Sequence, residues 1–313
     1  MTDTEDMFAE KPAKASNEDE PASTSKPARG GAFAALAARS AAVEANKASL
    51  LPSWPDESRA APNEVLRCAL FTARNRKHAR QQFRQQEIMT YGGGRVVYTG
   101  EELRQDDLDV WLEIFNIQKS RGIKYGEDVP FTVAELRKQL GWTMRGAAAT
   151  NRLFTILTRL KANAVNFHSN RLRESVSLSM LSRFKSAEDG IEHDGFGPTN
   201  AADTEWSVRI DPEVSVLFGE GSYITRIEIG QRRNLSGDLA KWLHGFYSSH
   251  RDPIPLLVET LIENSGLQVG DKHRATQLVK DALKELVATG FLEHWEIKNG
   301  LVSVKRVKRA QLT

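Results

Sequence analysis

The sequence predicts an α+β fold: two tandem winged-helix domains, each a helix-turn-helix plus a β-wing, behind a disordered N-terminal tail. Three observations carry that prediction. Two stretches of the chain repeat one order of elements. The long helix of each has an apolar stripe at the 3.6-residue period and a polar, basic face opposite. Residues 1–31 are acidic, rich in Pro, Ser, Lys and Ala, and poor in large apolar residues. Such a segment cannot offset the entropy of ordering.

A chain of 313 residues, 40% hydrophobic, has material for two cores at the usual domain size of about 100–200 residues. Its formal charge of +2 hides an asymmetry. Residues 1–30 hold seven acids against four bases, so the remainder is five units positive. That excess suits a nucleic-acid partner. The single cysteine, Cys68, has no partner for an internal disulfide; it reads as a small buried apolar residue of a reducing compartment. No apolar run has the length of a membrane span. The N-terminus has neither the basic start nor the apolar core of a signal peptide, so a cytoplasmic location is expected.

The elements follow in order. After the tail (1–31), residues 32–61 form a helix-prone segment and a linker. "AFAALAARSAAVEANKA" is rich in strong helix formers, and "LLPSWPDESRAAPN", with three prolines, reads as extended. Trp54 is expected to tuck against the folded body. The first domain spans 62–190, an inter-domain loop 191–202, and the second domain 203–313. Glu64–Arg74 reads as a helix or a mixed segment. "EIMTYGGGRVVYTG" reads as a β-hairpin around Gly92–Gly94. No Gly-Lys-Ser/Thr follows these glycines, so they are not a phosphate loop. "DDLDVWLEIFNIQKSRG" is a helix with Leu108, Trp111, Leu112 and Phe115 on one side, its leading acids suited to a helix start.

Two blocks then run in parallel. The first reads "PFTVAELRKQLGW", "AAATNRLFTILTRLKANAVNFHSN", "ESVSLSMLSRF". The second reads "PIPLLVETLIENSGL", "RATQLVKDALKELVATGFLEHWEIKNG", "LVSVKRV". Each is a short helix, a turn, a longer helix and then strands. Leu136 and Leu160 lie 24 positions apart, Leu261 and Leu286 25 apart, and a tryptophan-bearing helix precedes each block, at Trp111 and at Trp242.

The helical wheels assign faces. In the second long helix Leu278, Val279, Ala282, Leu283 and Leu286 gather on the core side. His273, Gln277, Lys280 and Lys284 fall opposite, with Lys272 and Arg274 at the front. In the first, Leu153, Ile156, Leu157 and Leu160 face the core, and Asn151, Arg152, Thr155 and Arg159 face out. Arg reads guanine edges, Gln and Asn read adenine, and Lys and Thr serve phosphates or edges. A positive helix N-terminus favours acids in its first turn. The cations Lys272, His273 and Arg274 there are instead expected to meet DNA. A merely solvated basic face is the plain alternative. Two features argue against it. "KNGLVSVKRVKR" forms a basic wing with Lys298, Lys305, Arg306, Lys308 and Arg309, and no acid follows Glu296. "FTARNRKHARQQFR" carries Arg74, Arg76, Lys77, Arg80 and Arg84 without an acid, a run able to neutralise several phosphates.

No catalytic constellation is visible. The seven histidines, at 78, 168, 193, 244, 250, 273 and 294, are scattered, and no HExxH or Cys/His metal spacing occurs. Ser236 has no evident base partner, and Ser249–His250 reads as a structural contact. Asp106–Asp109 reads as helix capping rather than a metal pair. The expectation is a non-enzymatic DNA-binding protein without cofactor or metal. A winged-helix transcriptional regulator, a DNA-processing enzyme such as a relaxase or primase, and a structural pair of domains are the alternatives.

Four separated motifs, "ALFTARNRK", "YTGEELRQDDLDVW", "ESVSLSMLSRF" and "YSSHRDPIPL", resemble the TrfA family of plasmid replication initiators, over about Leu50 to Trp295. The resemblance implies binding of double-stranded DNA at origin repeats (iterons), opening of an adjacent A+T-rich region, and recruitment of the host initiator, the replicative helicase and the sliding clamp. It also implies a bacterial, plasmid-associated protein in a monomer–dimer equilibrium, with the monomer binding DNA. Family members carry a clamp-binding Gln-Leu-Ser-Leu-Phe before a Trp-Pro-Asp. Here Trp54-Pro55-Asp56 is preceded by Lys47-Ala48-Ser49-Leu50-Leu51: Lys replaces Gln and Leu replaces the aromatic. Ser49, Leu50 and Leu51 are the residues the resemblance places at that contact.

Overall fold

A computed structural model describes residues 50–92, 94–168, 175–186, 205–219 and 223–307. The chain divides into compact units at 1–45 and 46–313; the first lies outside the described residues. The expected tail (1–31), the helix at 32–48, Ser49, the loop at 191–202, Lys308 and Arg309 lie outside them too.

The centre of the fold is helix α2, Gln105–Ser120, buried along most of its length. Trp111 and Phe115 pack edge-to-face at 4.5 Å, and Phe71 and Phe218 close on them at 6.1 and 5.0 Å. The acids at its start do cap it: Asp107 accepts from the Arg104 amide at 2.7 Å. Capping is only part of their role. Asp106, Asp107, Asp109 and Glu113 all turn into the protein, and arginines from four other segments reach them.

Around α2 the chain builds two units of the same topology. In the first, β6 (Val129–Thr132) leads into α3 (Val133–Gln139). The Thr132 hydroxyl caps α3 by accepting from the Glu135 amide at 3.1 Å. A turn follows, then α4 (Gly146–Lys161). In the second, α6 (Asp238–Ser248) stands where α2 stands in the first. Behind it come β12 (Leu256–Leu257), α7 (Val258–Asn264), a turn and α8 (Lys272–Ala288). Leu136, Leu160, Leu261 and Leu286, equivalent by spacing, are all fully buried. Each unit ends in a three-stranded antiparallel sheet. In the second it has the order β12–β14–β13, from β13 (Leu292–Lys298) and β14 (Leu301–Arg306). In the first it has the equivalent order β6–β10–β9, from β9 (Arg183–Lys185) and β10 (Glu205–Arg209).

The strands of the first unit therefore differ from the sequence reading. Most of "ESVSLSMLSRF", expected as a wing strand, lies outside the three-stranded sheet. Its β8 (Ser175–Leu178) pairs with β7 (Ala164–His168), which pairs with β4 (Arg95–Glu101) of the β3–β4 hairpin, β3 being Gln82–Ile88. This four-stranded sheet is an addition that the second unit lacks among the described residues. Only β9 joins the three-stranded sheet, and its partner β10 comes from a segment that the sequence reading gave to 203–313. Trp206, Val208, Leu217 and Ile227 pack in the first core. Trp206, Val208 and Ile227 alternate with polar neighbours, a pattern that identifies a strand without identifying its sheet.

Residues 51–62 are likewise no free linker. Leu51 and Trp54 are buried, and Lys119 lies over the Trp54 ring while donating to its carbonyl. The strand β1 (Ser58–Pro62) is buried at every position and pairs antiparallel with β11 (Ile224–Glu228). The segment preceding the first unit is thus hydrogen-bonded to the one leading into the second. Short elements complete the chain: α1 (Asn63–Leu66), β2 (Phe71–Thr72) beside β5 (Leu103–Arg104), a 3-10 turn at Pro212–Phe218, and α5 (Ile229–Arg233).

The two cores meet at α2. Asp109 accepts from Arg232 Nε and from Lys241 Nζ, both at 2.6 Å. Burial raises its pKa, but the two cations outweigh burial and hold the carboxyl below its usual range. Arg232 is itself 1% exposed. Removing one partner of a buried pair strands the other charge, at a cost of about 3–5 kcal/mol. Asp109→Ala is expected to lower the unfolding free energy by that order in urea titration; a loss of under about 1 kcal/mol would mean the pair is solvated and holds nothing.

His244, on α6, is fully buried against the Phe291 ring at 4.4 Å. Burial first, then the charges of Arg232 and Arg306, push its pKa down to about 3. A base depressed in the folded state contributes stability that is present above its unfolded pKa of about 6.5 and is lost as pH falls toward the folded value, with a slope of up to about 1.4 kcal/mol per pH unit. The stability difference between wild type and His244→Phe should shift in favour of the variant as pH falls from 6.5 to 4. A difference independent of pH would refute the assignment.

Candidate nucleic-acid interface

The front of α8 is built by its cap. Asp271 is in extended backbone and its carboxylate accepts from the His273 amide at 2.9 Å. The acid in "GDKHRA" is thus used by the helix itself, and Lys272, His273 and Arg274 project from a first turn with no acid in it. All three are exposed. Lys272 makes one loose contact, 3.4 Å from Glu259 on α7. Ala275, Val279, Ala282, Leu283 and Leu286 face the core. Leu278, expected with them, is 37% exposed. It sits at the edge of the apolar stripe and lines a groove instead.

That groove, about 650 Å³, brings a second basic segment to α8. The loop after β2 supplies Arg74, Asn75, Lys77 and His78, and α8 supplies Arg274, Leu278 and Asp281. Arg76 and Lys77 are exposed. The charge of Arg76 acts on Asp106, on Arg152 of α4 and on Asp238 at the start of α6. The loop therefore stands near Arg152 of α4 on one side, and shares a groove with Arg274 at the front of α8 on the other.

Other expected contacts have partners inside the protein. Arg159 is 7% exposed, 2.5 Å from Asp107 and 3.2 Å from Glu101. Its position opposite the Leu153–Leu160 stripe puts it against the start of α2, not against solvent. Arg74 is half-buried, 3.6 Å from Glu102. Arg80, from the same run, donates to Asp107 at 2.6 Å and Asp106 at 3.0 Å. Arg306 donates to the carbonyls of Tyr247 and His250, at 3.2 and 2.9 Å, and covers the Phe291 ring at 5.2 Å. It fastens β14 to its own unit rather than reaching into solvent. Arg152 is intermediate: it lies over the Trp142 ring at 4.4 Å and 3.4 Å from Asp106. Asn151 and Thr155 remain exposed, the Thr155 hydroxyl donating to the Asn151 carbonyl at 2.9 Å. Lys280 is half-buried, while Lys284 is exposed and donates to Asp281 at 3.0 Å. On the second hairpin, Lys298 and Lys305 stay exposed beside Glu296 and Glu293, at 2.8 and 2.7 Å. Surface pairs of this kind are worth little and yield to a phosphate.

Two carboxylates record how crowded the start of α2 is. Burial raises Asp106, but Arg80, Arg152 and Arg76 together hold it below the ordinary carboxylate range. Asp107 is pushed up to about 6 by burial and by Asp106 beside it, only partly offset by Arg80 and Arg159.

Sequence reasoning missed Arg145. It is exposed at the N-cap of α4, ahead of an acid-free first turn; the signal was the same one that marked α8, a helix front with a cation and no acid. For the clamp segment, Leu51 is 8% exposed within the first core, so its side chain is not free for a partner. An apolar side chain next to Trp54 gains more by joining the core than by staying in water.

Comparison with known proteins fits this architecture. The model of the family described as TrfA protein matches residues 34–306, and the chain belongs to the TrfA family. The plasmid replication initiator protein TrfA of Escherichia coli is 34% identical over 255 residues, 81% of this chain and 63% of that relative. The chain thus spans less than two thirds of that relative's length. In fold it is similar to the crystal structure of domains 2 and 3 of RctB, with a TM-score of 0.53 at 12% identity, over 78% of this chain and 98% of that one.

The buried and exposed arginines should separate by experiment. Arg159→Ala is expected to destabilise by about 3 kcal/mol or more, by leaving Asp107 short of a partner. Arg76→Ala should leave the melting temperature nearly unchanged and weaken binding to duplex DNA. Equal melting temperatures for the two variants would show that Arg159 is not structural.

Proposed function

We propose that this chain is a plasmid replication initiator that binds origin repeats through two winged-helix domains, one in each unit. The observation that carries the reading is the front of α8: three exposed cations on a capped, acid-free first turn, with Arg76 and Lys77 alongside. A helix N-terminus of that charge offers donors and dipole to phosphates while its outer face enters a major groove. In each unit the strand before the short helix completes the terminal sheet, which supports reading its two later, antiparallel strands as a wing beside the long helix. Membership of the TrfA family supports the initiator role. On this reading the protein binds DNA in the bacterial cytoplasm as a monomer in equilibrium with dimers, opens the adjacent duplex, and recruits the host initiator and replicative helicase. It works by binding rather than by catalysis. No helix among the described residues is long and apolar enough to cross a membrane.

Binding to duplex DNA is expected to weaken by ~10³-fold or more between about 50 and 200 mM salt if six or more phosphates are contacted. The initiator role is tested by transformation. A plasmid carrying this gene and its flanking DNA should replicate, and the same plasmid without the direct repeats should not. Salt-insensitive binding would sink the DNA reading; salt-sensitive binding without replication would leave a regulator.

A further inference from the structure

The outward face of α8 carries one carboxylate, Asp281, among the groups proposed to meet DNA. Its Oδ1 accepts from Gln277 Nε2 at 2.9 Å and from Lys284 Nζ at 3.0 Å. All three side chains are exposed, one helical turn apart. A carboxylate on a face that approaches phosphates repels them, so attraction to the DNA backbone does not account for it.

Hydrogen-bond chemistry does. An ionised carboxylate only accepts. The two donors hold Asp281 below the usual carboxylate range, Gln277 foremost, so it is ionised at neutral pH. Gln277 must then turn its NH2, not its carbonyl, toward Asp281. One amide hydrogen is used there. A second amide hydrogen and the carbonyl Oε1 remain, side by side and in a fixed order. Lys284 balances the carboxylate's charge from the far side. The free edge of Gln277 thus offers one donor and one acceptor. Adenine presents the complement in the major groove: N7 accepts and the N6 amine donates. Guanine presents two acceptors, and its O6 would face Oε1.

We propose that Asp281 is a positioning residue for sequence specificity, orienting the Gln277 amide to read the adenine of one A·T pair. The inference rests on the duplex-binding reading above and adds to it the base that is read and the side chain that sets the reading.

The test uses the full chain and duplexes it selects from a randomised pool. Each position of the selected duplex is changed in turn to the other three pairs. Binding of wild type, Gln277→Ala, Asp281→Ala and the double variant is then measured. All are surface substitutions and are expected to melt with wild type. Wild type should prefer A·T at one position by roughly 5- to 150-fold, the range of a bidentate base contact. Gln277→Ala should abolish that preference, and Asp281→Ala should reduce it while strengthening binding to every sequence by removing a negative charge. In the Gln277→Ala background, Asp281→Ala should strengthen binding and change no preference. If Asp281→Ala leaves the preference intact, or changes it equally without Gln277, the positioning role is wrong. If Gln277→Ala alters no position, the inference falls while salt-sensitive duplex binding stands. If no duplex is bound in a salt-sensitive way, the function proposed above falls first.

Discussion

The structure depends on four carboxylates along one helix. Asp106, Asp107, Asp109 and Glu113 lie within eight residues of α2 and are drawn into the protein. Each is met by arginines or lysines from a different part of the chain: Arg80 and Arg152 for Asp106, Arg80 and Arg159 for Asp107, Arg232 and Lys241 for Asp109, Arg59 and Arg233 for Glu113. Burying so much charge is expensive, and a well-packed apolar replacement often does as well in stability. What the arrangement supplies is geometry. An apolar contact tolerates sliding, whereas a buried carboxylate deprived of its cation does not. The pairs therefore fix α4 against α2 through Arg159, and the second unit against the first through Arg232 and Lys241. The β1–β11 pairing adds a backbone clamp beside them.

This internal claim on arginine decides which cations are left for the duplex proposed above. The run from Arg74 to Arg84 looks uniform in sequence, but the fold divides it. Arg74 and Arg80 turn inward to Glu102, Asp106 and Asp107, while Arg76, Lys77 and Arg84 stay in solvent. The same division separates Arg306 from Lys305 on the second hairpin, one residue apart on opposite faces of a strand. A basic count taken from sequence thus overstates the number of phosphates the surface can neutralise. The exposed cations are fewer, but they are grouped: the loop carrying Arg76 and Lys77 touches the neighbourhood of both long helices.

Much of this was legible in the sequence, and the misses have one cause. The periodicity of "RATQLVKDALKELV" and "NRLFTILTRL" placed both long helices, and the 24- and 25-residue spacings aligned two units whose spaced leucines are all buried. The antiparallel pairing of the strands on either side of the Gly-rich turn and the helix "DDLDVWLEIF" also stand as read. These are local patterns, set by residues three or four apart or by a tight turn. What failed was long-range. Nothing near Arg159 in sequence announces that Asp107, 52 residues away, will take its charge. Nothing in "SRAAP" announces a strand whose partner is β11. The proline content of 52–62 argued for a linker, although Pro at the end of an edge strand is compatible with pairing. Likewise β10 carries the right alternation, but register and sheet membership are decided by tertiary contacts.

The two units share a topology yet divide the work unequally. In the first, the long helix is committed inward: Arg159 is buried, Arg152 is held between Trp142 and Asp106, and the added four-stranded sheet follows the helix directly. Of the groups expected on its outer face, only Asn151 and Thr155 stay exposed, both short in reach, with Arg145 at the N-cap. In the second, the long helix has no inward charge on its outer face, its first turn is open, and its paired polar groups, Gln277, Asp281 and Lys284, bond to one another rather than to the core. A side chain already spent on an internal ion pair must break that pair before it can read a base, and gains little by doing so. A side chain ordered by its surface neighbour keeps its free edge and loses less freedom on binding. On the duplex-binding reading proposed above, base reading falls mainly to α8 and the first unit holds position on the backbone, with the two units tied together through the carboxylates of α2.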